Sequence, residues 1–448
     1  MSLSKDGIYE KGVIDPGFPA KTPTQPFWFT HNSKISKLQS TWHDSADIVI
    51  IGSGLTAASL CYELLVKRGT NLKIVVVEAR DLCSGATGRN AGHIKPFSPG
   101  VWYDRKKVFG PEEAVKIMEY EHGHLDELAK CAKENKIECD LDILEGLDVY
   151  FDEKALRDAQ KAVEDMRRYS PALADRYTFY DSPDSLRARN CPRDCIGAVG
   201  MRAGSMWPYK FVSGLFEKFV EEKGLLIQTN TVVTSITDRD NEEFATVTTT
   251  RGDIKAAHVI HANNAWIGHL VPELRPFVSP VRANAQRWMP KEPAERRKNS
   301  WWIRYGEKDY DAIIHRKDGS YILGRANTGR RATADDTAVD LLPQKHLGAV
   351  TPVVFDFGAN MDKTHGWSGI VAFTHDGNPF VGRLPFHNRT HQWVCASYHA
   401  TGMIRAFKSA QLLAHLFFGE DVPEAYPRSM LLTDARVASW RGEITSKL

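Results

Sequence analysis

The sequence lacks several features that mark particular classes of protein. It has no apolar run of the ~20 residues that a membrane-spanning helix needs. Its first residues, MSLSKDGIYEKG, contain no apolar stretch of the signal-peptide type. The net charge is only +2, from 58 Lys and Arg against 56 Asp and Glu, so no charge excess favours nucleic acid or a membrane surface. We expect an intracellular chain that binds neither.

The cysteines are also few and scattered. Seven of them in 448 residues, an odd number, do not form the pattern of a disulfide framework. Cys191 and Cys195 have the spacing of half a zinc site, but no second Cys/His pair follows at a suitable spacing, so we expect no metal. With 42% hydrophobic and 25% charged residues, the chain is predicted to be globular and, at this length, to have two packed domains.

The first strong pattern begins at Ala46. Residues 1–45 are rich in Pro, Lys, Ser and Thr, and we predict an extended arm that lies on the body. DIVIIG then predicts a buried strand, LTAASLCYELLVKRG a helix that ends at Gly69, and NLKIVVVEA a second buried strand. Strand, turn, helix and strand within about 30 residues form a βαβ unit, which implies a parallel sheet and an α/β fold.

The turn inside this unit has the form of a dinucleotide-binding site. IIGSGLTAA places Gly52, Gly54 and Ala57 in a G-x-G-x-x-A pattern. This pattern permits a tight turn, close approach of a pyrophosphate and close packing of helix on strand. Glu78 ends the second strand, where a carboxylate binds ribose hydroxyls. The Glu78 carboxylate disfavours the 2′-phosphate of NADP. Because Arg80 lies next to it, this feature alone does not exclude NADP.

The stretch that follows favours FAD over NAD. RDLCSGATGRNAGH, residues 80–93, is a small, polar, glycine-rich loop beside the expected pyrophosphate. Many backbone N–H groups and little side-chain bulk suit a second wrap around a long cofactor and its ring system. A simple NAD domain has no need of such a loop at this place.

Several motifs together resemble one family. DIVIIGSGLTAASLCYELL, VVVEARDLCSGATGRNAGH, VIHANNAW, WSGIVAFTHDGNPFVGR and ASYHATGMIRAF are similar to the FAD-dependent oxidoreductases of the D-amino-acid oxidase and sarcosine oxidase type. The similarity spans roughly residues 20–435 and, within the family, is strongest to a fungal branch.

The resemblance implies a Rossmann-like FAD-binding domain and a second, α+β substrate domain built on a mixed or antiparallel sheet. The FAD-binding domain would be discontinuous and comprise residues 46–100, 205–275 and 360–430. The substrate domain would comprise residues 101–204 and 276–359, and residues 431–448 would form a C-terminal tail.

The resemblance also implies a set of FAD contacts, at the glycine turn, the end of the second strand, the loop that follows it and three later segments. These contacts are Gly52, Gly54, Leu55, Thr56, Glu78, Ala79, Arg80, Ser84, Gly85, Ala86, Thr87, Arg89, Asn90, Gly92, His93, Val233, Asn263, Trp266, Gly369, Thr401, Gly402, Met403 and Ile404. Val233 would meet the adenine. Asn263 and Trp266 would close over the adenosine half, although NNAW replaces the usual AGAW. Gly369 and residues 401–404 would lie near the flavin ring.

The mode of FAD attachment differs within the family. Sarcosine-type relatives attach FAD to a cysteine at the position where this chain has Gly369, so that link is impossible here. Other relatives use a histidine of the glycine-rich loop. We expect non-covalent FAD, with a histidyl link through His93 as the lesser alternative.

The family reaction removes a hydride from a C–H next to an amine nitrogen and leaves an imine. Oxidase members then reduce O₂ to H₂O₂. We therefore expect an FAD-dependent oxidase of a small-molecule amine or amino acid. The alternatives are a dehydrogenase with an acceptor other than O₂ and a non-catalytic protein that keeps the flavin-binding fold.

Three candidates for the substrate pocket lie in or near the predicted cofactor segments. His93 is expected near flavin and substrate, or packed within its loop. Trp207 precedes a predicted helix and forms either a pocket wall or part of the core. Arg405 follows the ATGM loop and lies near the ring, or caps a helix.

Two further candidates lie on the predicted strand YILG and just after it. Arg325 offers a bidentate fork for a substrate carboxylate, or forms a surface ion pair. Tyr321 alternates with Leu323, so one of the two is expected to face the pocket.

The chain ends in Ser446, Lys447 and Leu448. A C-terminal S-K-L is an address that the peroxisomal import receptor reads. Flavin oxidases make H₂O₂ and peroxisomes contain catalase, so the tail and the family resemblance together favour an oxidase in the peroxisome. Without this address we expect a cytoplasmic protein.

Overall fold

A computed structural model describes residues 14–293, 295–305, 309–326, 331–355 and 360–445. The tripeptide 446–448 lies outside these residues. The strands are β1 (Ser45–Ile51), β2 (Ile74–Val77), β3 (His93–Ile94), β4 (Asp142–Tyr150), β5 (Thr178–Tyr180), β6 (Gly197–Ser205), β7 (Leu226–Gln228), β8 (Val233–Thr237), β9 (Ala245–Thr249), β10 (Gly252–His261), β11 (Val278–Pro290), β12 (Asn299–Arg304), β13 (Tyr310–His315), β14 (Tyr321–Ala326), β15 (Met361–Thr374), β16 (Phe380–Arg383) and β17 (Gln392–Ala396).

The helices are α1 (Leu55–Cys61), α2 (Trp102–Phe109), α3 (Pro111–His122), α4 (His124–Asn135), α5 (Glu153–Arg167), α6 (Pro171–Ala174), α7 (Pro183–Ala188), α8 (Pro208–Lys223), α9 (Ile267–Leu270), α10 (Leu341–Val354), α11 (Ala406–Phe417) and α12 (Asp434–Thr445). A π-helical segment, Tyr62–Lys67, continues α1 to a left-handed Gly69, as the sequence predicts. Among the described residues, no helix is long and apolar enough to cross a membrane.

The first sheet carries the predicted βαβ unit. Its order is β16-β17-β10-β1-β2-β7, with β8 and β9 attached to β10, and β1 pairs in parallel with both β2 and β10. Alternate residues of β1 face opposite sides. Ile48 and Ile50 pack into the core formed with α1, α8 and α11, whereas Val49 and Ile51 pack against residues of β8–β10. Both faces of this sheet are therefore covered, which explains why the buried run Ile48–Ile51 of β1 is apolar.

The second sheet is mixed and mainly antiparallel. Its order is β15-β11-β14-β13-β12-β4-β6-β3, with β5 on β6, and β4 with β12 is its parallel pair among the described strands. The two sheets confirm the predicted fold class. The sheets also show that β3 and β15, which fall within the ranges predicted for the FAD-binding domain, pair in the second sheet. The exact domain ranges stay a prediction.

The parallel strands of the first sheet end together at one edge. Just beyond β1, Gly52 has φ +104°, and a Cβ on it would lie 2.8 Å from the carbonyl oxygen of Ala262, which follows β10. Only glycine fits both the conformation and this close approach. The carboxyl edge of a parallel sheet, at such a turn, is the usual place for a nucleotide.

Candidate active site

A cavity of about 870 Å³ is lined by residues from both sheets. Its first-sheet end includes the glycine turn, Glu78, Val233 and Trp266. Its second-sheet end includes Lys95, Trp302, Arg304 and Tyr310. The loop of residues 85–91 lies between the two ends of the cavity. It reaches the second sheet at Ala91, since a Cβ built on Gly324 of β14 would lie 3.5 Å from the Ala91 Cβ.

All but two of the residues predicted to contact FAD line this cavity. The exceptions are Ser84 and Gly92. The carbonyl of Ser84 accepts hydrogen bonds from Arg80 and Arg89, so this residue supports the loop from behind. Gly92 has φ +73°, and a Cβ on it would lie 2.4 Å from the carbonyl oxygen of Met206, so it permits a close backbone contact. Lining the cavity is a matter of position, and the individual FAD contacts stay predictions.

The Glu78 carboxylate is held rigidly at the end of β2. It accepts hydrogen bonds from the Ser53 amide (3.0 Å), the Ser53 hydroxyl (2.7 Å) and the Arg80 amide (3.0 Å). A carboxylate has about four acceptor positions. The three bonds therefore leave capacity for a further donor from the cavity, which suits a ribose hydroxyl.

Arg80 is engaged by protein groups. Its Nη1 donates to both carboxylate oxygens of the buried Asp336, at 3.1 and 2.9 Å, and its Nη2 donates to the carbonyl of Ser84 at 3.0 Å. Asp336 therefore holds Arg80 in place, although the same carboxylate also lies 3.6 Å from Arg89 and the Arg80 Nε has no partner among the described residues.

Several buried polar atoms on cavity-lining residues have no hydrogen-bond partner within the described residues. They include Nε of Arg80, Nη2 of Arg89, Oδ1 of Asn263 and Nε1 of Trp266. Burial lowers the pKa of Arg89 to about 10, so this side chain stays cationic at neutral pH. Buried polar groups are nearly always paired in native proteins. A ligand with phosphates, hydroxyls and a heterocyclic base, such as FAD, fits these donors and the Asn263 acceptor.

A cluster of charged residues lies at the second-sheet end. The Lys95 Nζ donates to Oδ2 of Asp148 at 3.2 Å and lies 3.8 Å from the Trp302 ring centre. The Arg304 Nε donates to Oδ1 of the same carboxylate at 3.1 Å. Asp148 is fully buried, and it does not line the cavity, whereas Lys95 and Arg304 do. Burial lowers the pKa of Lys95 to about 8, although Asp148 opposes this shift.

His93 adjoins this cluster as a neutral ring. Burial, helped by Lys95, lowers the pKa of His93 to about 3. The indole N–H of Trp302 donates to His93 Nδ1 at 3.1 Å, so the ring proton is on Nε2, which donates to the Ser300 hydroxyl at 2.8 Å. Lys95 and Arg304 therefore share the carboxylate of Asp148.

The floor of the second-sheet end is made of small residues. Trp302 pairs with Ala312, Ala312 with Gly324 and Gly324 with Ala285, each on a neighbouring strand. All four line the cavity. Three small residues in a row leave space over the sheet, and the Trp302 ring, stacked on Tyr310 with centres 4.5 Å apart, walls one side of it.

Arg325 and Arg405 both line the cavity, but other partners hold their guanidinium groups. Arg325 donates to Asp311 at 2.7 Å and ion-pairs with Asp309 at 3.0 Å. The expected carboxylate fork is thus already used by the protein. Arg405 donates to Glu121 through Nε and Nη2, at 2.9 and 2.7 Å, which anchors the end of the 401–404 segment. Neither is set to receive a substrate acid.

Trp207 and Tyr321 are not among the residues that line the cavity, so Trp207 takes its core alternative and Tyr321 does not have the expected position in the pocket. The Trp207 indole donates to the Trp28 carbonyl at 2.9 Å and packs on the N-terminal arm. Tyr321 stacks on His315 at 4.1 Å and lies in a core cluster together with Leu323. Residues two apart on a strand face the same side, so neither of the alternating pair faces the cavity.

Sequence reasoning missed the Lys95 cluster. Lys95 lies two residues after His93, so both side chains point to one face of an extended segment, and Trp302 and Arg304 show the same spacing. An aromatic or imidazole ring followed two residues later by a cation, as in His93 with Lys95 and Trp302 with Arg304, was the available signal. Asp148 gives no such signal, because only the pairing of β4 with β12 places it opposite Trp302.

The glycine turn, the acid at the end of β2 and the cavity at the carboxyl edge of the parallel sheet are together typical of a dinucleotide-binding protein. The chain belongs to the FAD dependent oxidoreductase family, whose model matches residues 47–416. The narrower resemblance to a fungal branch stays a prediction.

Individual proteins of known sequence or structure are similar to this chain. "Probable oxidoreductase OrdL" of Rhizobium meliloti is 27% identical over 389 residues, which are 84% of this chain and 83% of that protein. The structure of glycine oxidase from Geobacillus kaustophilus has a TM-score of 0.70 at 17% identity and covers 88% of this chain and 99% of its own. L-proline dehydrogenase from P. horikoshii also has a TM-score of 0.70 at 17% identity, over 90% of this chain and 99% of its own. These two structures support the fold.

Proposed function

We propose that this protein is an FAD-dependent oxidase of an amine that carries a carboxylate, such as an amino acid. The observation that carries the proposal is the buried cluster of Lys95, Asp148 and Arg304 at the second-sheet end of the cavity. Its two cations face the cavity and its one carboxylate lies behind them. An anionic group of a ligand would meet both cations from the cavity side.

The surroundings of the cluster favour an anion over a neutral or cationic group. Attraction between opposite charges is much stronger in a buried site than in water. His93 is neutral and donates its ring proton to Ser300, so it brings no competing charge. Ala312 and Gly324 leave room for a small substrate beside the cations, and Trp302 limits its width.

Bound FAD supplies the redox chemistry, by accepting a hydride from the carbon next to the amine nitrogen and passing the electrons to O₂ to give H₂O₂. The protein's part is to hold and orient. Glu78, Arg89, Asn263 and Trp266 are the residues that would hold the cofactor. Lys95 and Arg304 would fix the substrate carboxylate and so direct its amine-bearing carbon.

Non-covalent attachment of FAD is part of the proposal. Both ring nitrogens of His93 are engaged, one by Trp302 and one by Ser300, which argues against a histidyl link. At Gly369, a Cβ would lie 2.8 Å from the Cβ of Arg89, so a side chain there meets steric resistance as well. Flavin that separates from the protein on denaturation would contradict a covalent link. Flavin that stays attached to the denatured protein would contradict non-covalent attachment.

The fold does not decide the electron acceptor, because solved structures of this fold include both a glycine oxidase and an L-proline dehydrogenase. The C-terminal S-K-L favours the oxidase, because catalase in peroxisomes removes H₂O₂. An H₂O₂-coupled screen of amino acids, each beside its decarboxylated amine, tests the proposal. We expect H₂O₂ from an amino acid and little from the matched amine. Reduction of the flavin without consumption of O₂ would favour the dehydrogenase instead.

Peroxisomal location is proposed from the tripeptide 446–448 alone. Removal of Leu448 from a chain tagged at its N-terminus should leave the protein in the cytosol, since the import receptor reads the three terminal residues as a unit. A punctate distribution that survived the deletion would contradict the targeting proposal and leave the enzymatic one intact.

A further inference from the structure

The N-terminal arm contributes to the wall of the cavity. Gly17, Phe18 and Pro19 line it, next to His269 and Leu270 at the first-sheet end. These residues lie outside the segments that resemble FAD contacts in the family. We propose that residues 15–19 form a strap over the adenosine end of the FAD site and slow the release of the cofactor.

Asp15 ties the strap to the body. Its Oδ1 accepts a hydrogen bond from His269 Nδ1 at 2.7 Å, and its Oδ2 accepts one from Arg275 Nη2 at 2.8 Å. The Gly17 amide also donates to Asp15 Oδ1 at 2.9 Å, and Gly17 has φ +61°. This turn aims the next residue inward, and the Phe18 ring packs edge-on against His269, with centres 4.3 Å apart.

Further along, the arm is tied to the loop that lines the cavity. The Thr24 amide donates to the carbonyl of Asp336 at 2.8 Å, and its carbonyl accepts from Arg89 Nη1 at 2.8 Å. The indole of Trp28 donates to the carbonyl of Asn90 at 2.7 Å. The arm thus runs from the adenosine end to the glycine-rich loop, and its partners Arg89 and Asn90 are cavity-lining residues.

The two attachments differ in strength. Trp28 is fully buried, whereas Phe18 is 47% exposed and the Asp15 side chain 42% exposed. Exposed ion pairs are weak, and they open readily. Residues 15–19 are therefore able to lift while the arm beyond Thr24 stays in place, and such a strap acts on the rate of cofactor release.

Release of FAD from the holoenzyme tests this strap. After dilution, free flavin is followed by its fluorescence in Asp15→Ala, Phe18→Ala and the control Lys21→Ala, which changes an exposed residue of the same arm. Loss of the Arg275 ion pair and the His269 hydrogen bond of Asp15, or of the Phe18 contact, predicts release that is roughly three- to tenfold faster. The visible spectrum of the bound flavin should not change, because the strap lies at the adenosine end.

The proposal has clear contrary outcomes. Release of FAD from both variants at the rate of Lys21→Ala would overturn it. Faster release accompanied by a lower Tm of the apoprotein would also overturn it, because the variant would then act by destabilising the fold. Flavin that never leaves the native protein would overturn it too. None of these results bears on the substrate, so they are distinguishable from failure of the proposed oxidase function.

Discussion

Replacement of Lys95 by methionine separates substrate recognition from folding. Methionine keeps most of the volume of lysine and removes its charge. Asp148 would still be paired with Arg304 at 3.1 Å, so no buried charge is left without a partner. We therefore expect a small change in stability and unchanged FAD content, together with a large loss of affinity for ligands that carry a carboxylate.

The size of this loss follows from the contact that disappears. A hydrogen bond to a charged group contributes about 1.5–3 kcal/mol. At about 1.4 kcal/mol per factor of ten, Lys95→Met should raise KM for an anionic amine about 10- to 100-fold. The pKa of Lys95 is about 8, so affinity in the unmutated protein should fall as pH rises through this value and the ammonium loses its proton. Lys95→Arg should keep its affinity there, since arginine remains protonated.

Titration of the holoenzyme with acetate, followed by the flavin absorption spectrum, measures this affinity without turnover. Lys408→Met is the matched control, because burial also lowers the pKa of Lys408 to about 8 while the side chain packs over Tyr120, outside the cavity lining. Acetate affinity in Lys95→Met equal to that in Lys408→Met would refute the role of Lys95 in binding the carboxylate.

Three other changes test separate parts of the site. Asp148→Asn removes the buried carboxylate that Lys95 and Arg304 share, so thermal unfolding should show a loss of about 3–5 kcal/mol; an unchanged Tm would contradict the ion cluster. Gly369→Ala places a Cβ 2.8 Å from that of Arg89 and should destabilise the apoprotein by about 1–3 kcal/mol, whereas Gly85→Ala, which meets no protein atom within 4 Å, should not. Trp207→Phe loses the indole hydrogen bond to Trp28 and should lower stability by about 1–3 kcal/mol with KM unchanged; a raised KM would return Trp207 to the pocket.

The cofactor end was accessible from sequence because its determinants are local. The turn at Gly52 and the acid Glu78 belong to one βαβ unit of about 30 residues, whose spacing is set by the geometry of strand and helix. Even there, the sequence pattern explained Gly52 by the approach of a pyrophosphate. The structure adds a close contact with Ala262, some two hundred residues along the chain.

The second-sheet end of the cavity depends on pairings between distant strands. Asp148 and Trp302 come together through the register of β4 with β12, which no local pattern specifies. Arg325 was a reasonable candidate by residue type, but the acids that hold it, Asp309 and Asp311, reach it only across the β13–β14 hairpin. The buried partners of a charged residue decide whether it can bind a ligand, and those partners are set by tertiary structure.

Anaerobic mixing of the holoenzyme with an amino acid, followed by admission of O₂, tests the central proposal most directly. An oxidase of carboxylate-bearing amines predicts that the visible flavin absorption bleaches with the amino acid, persists with its decarboxylated amine, and returns on admission of O₂ with formation of H₂O₂. Bleaching by both compounds at similar concentrations would contradict recognition of the carboxylate by Lys95 and Arg304. A bleached flavin that O₂ fails to restore would contradict the oxidase.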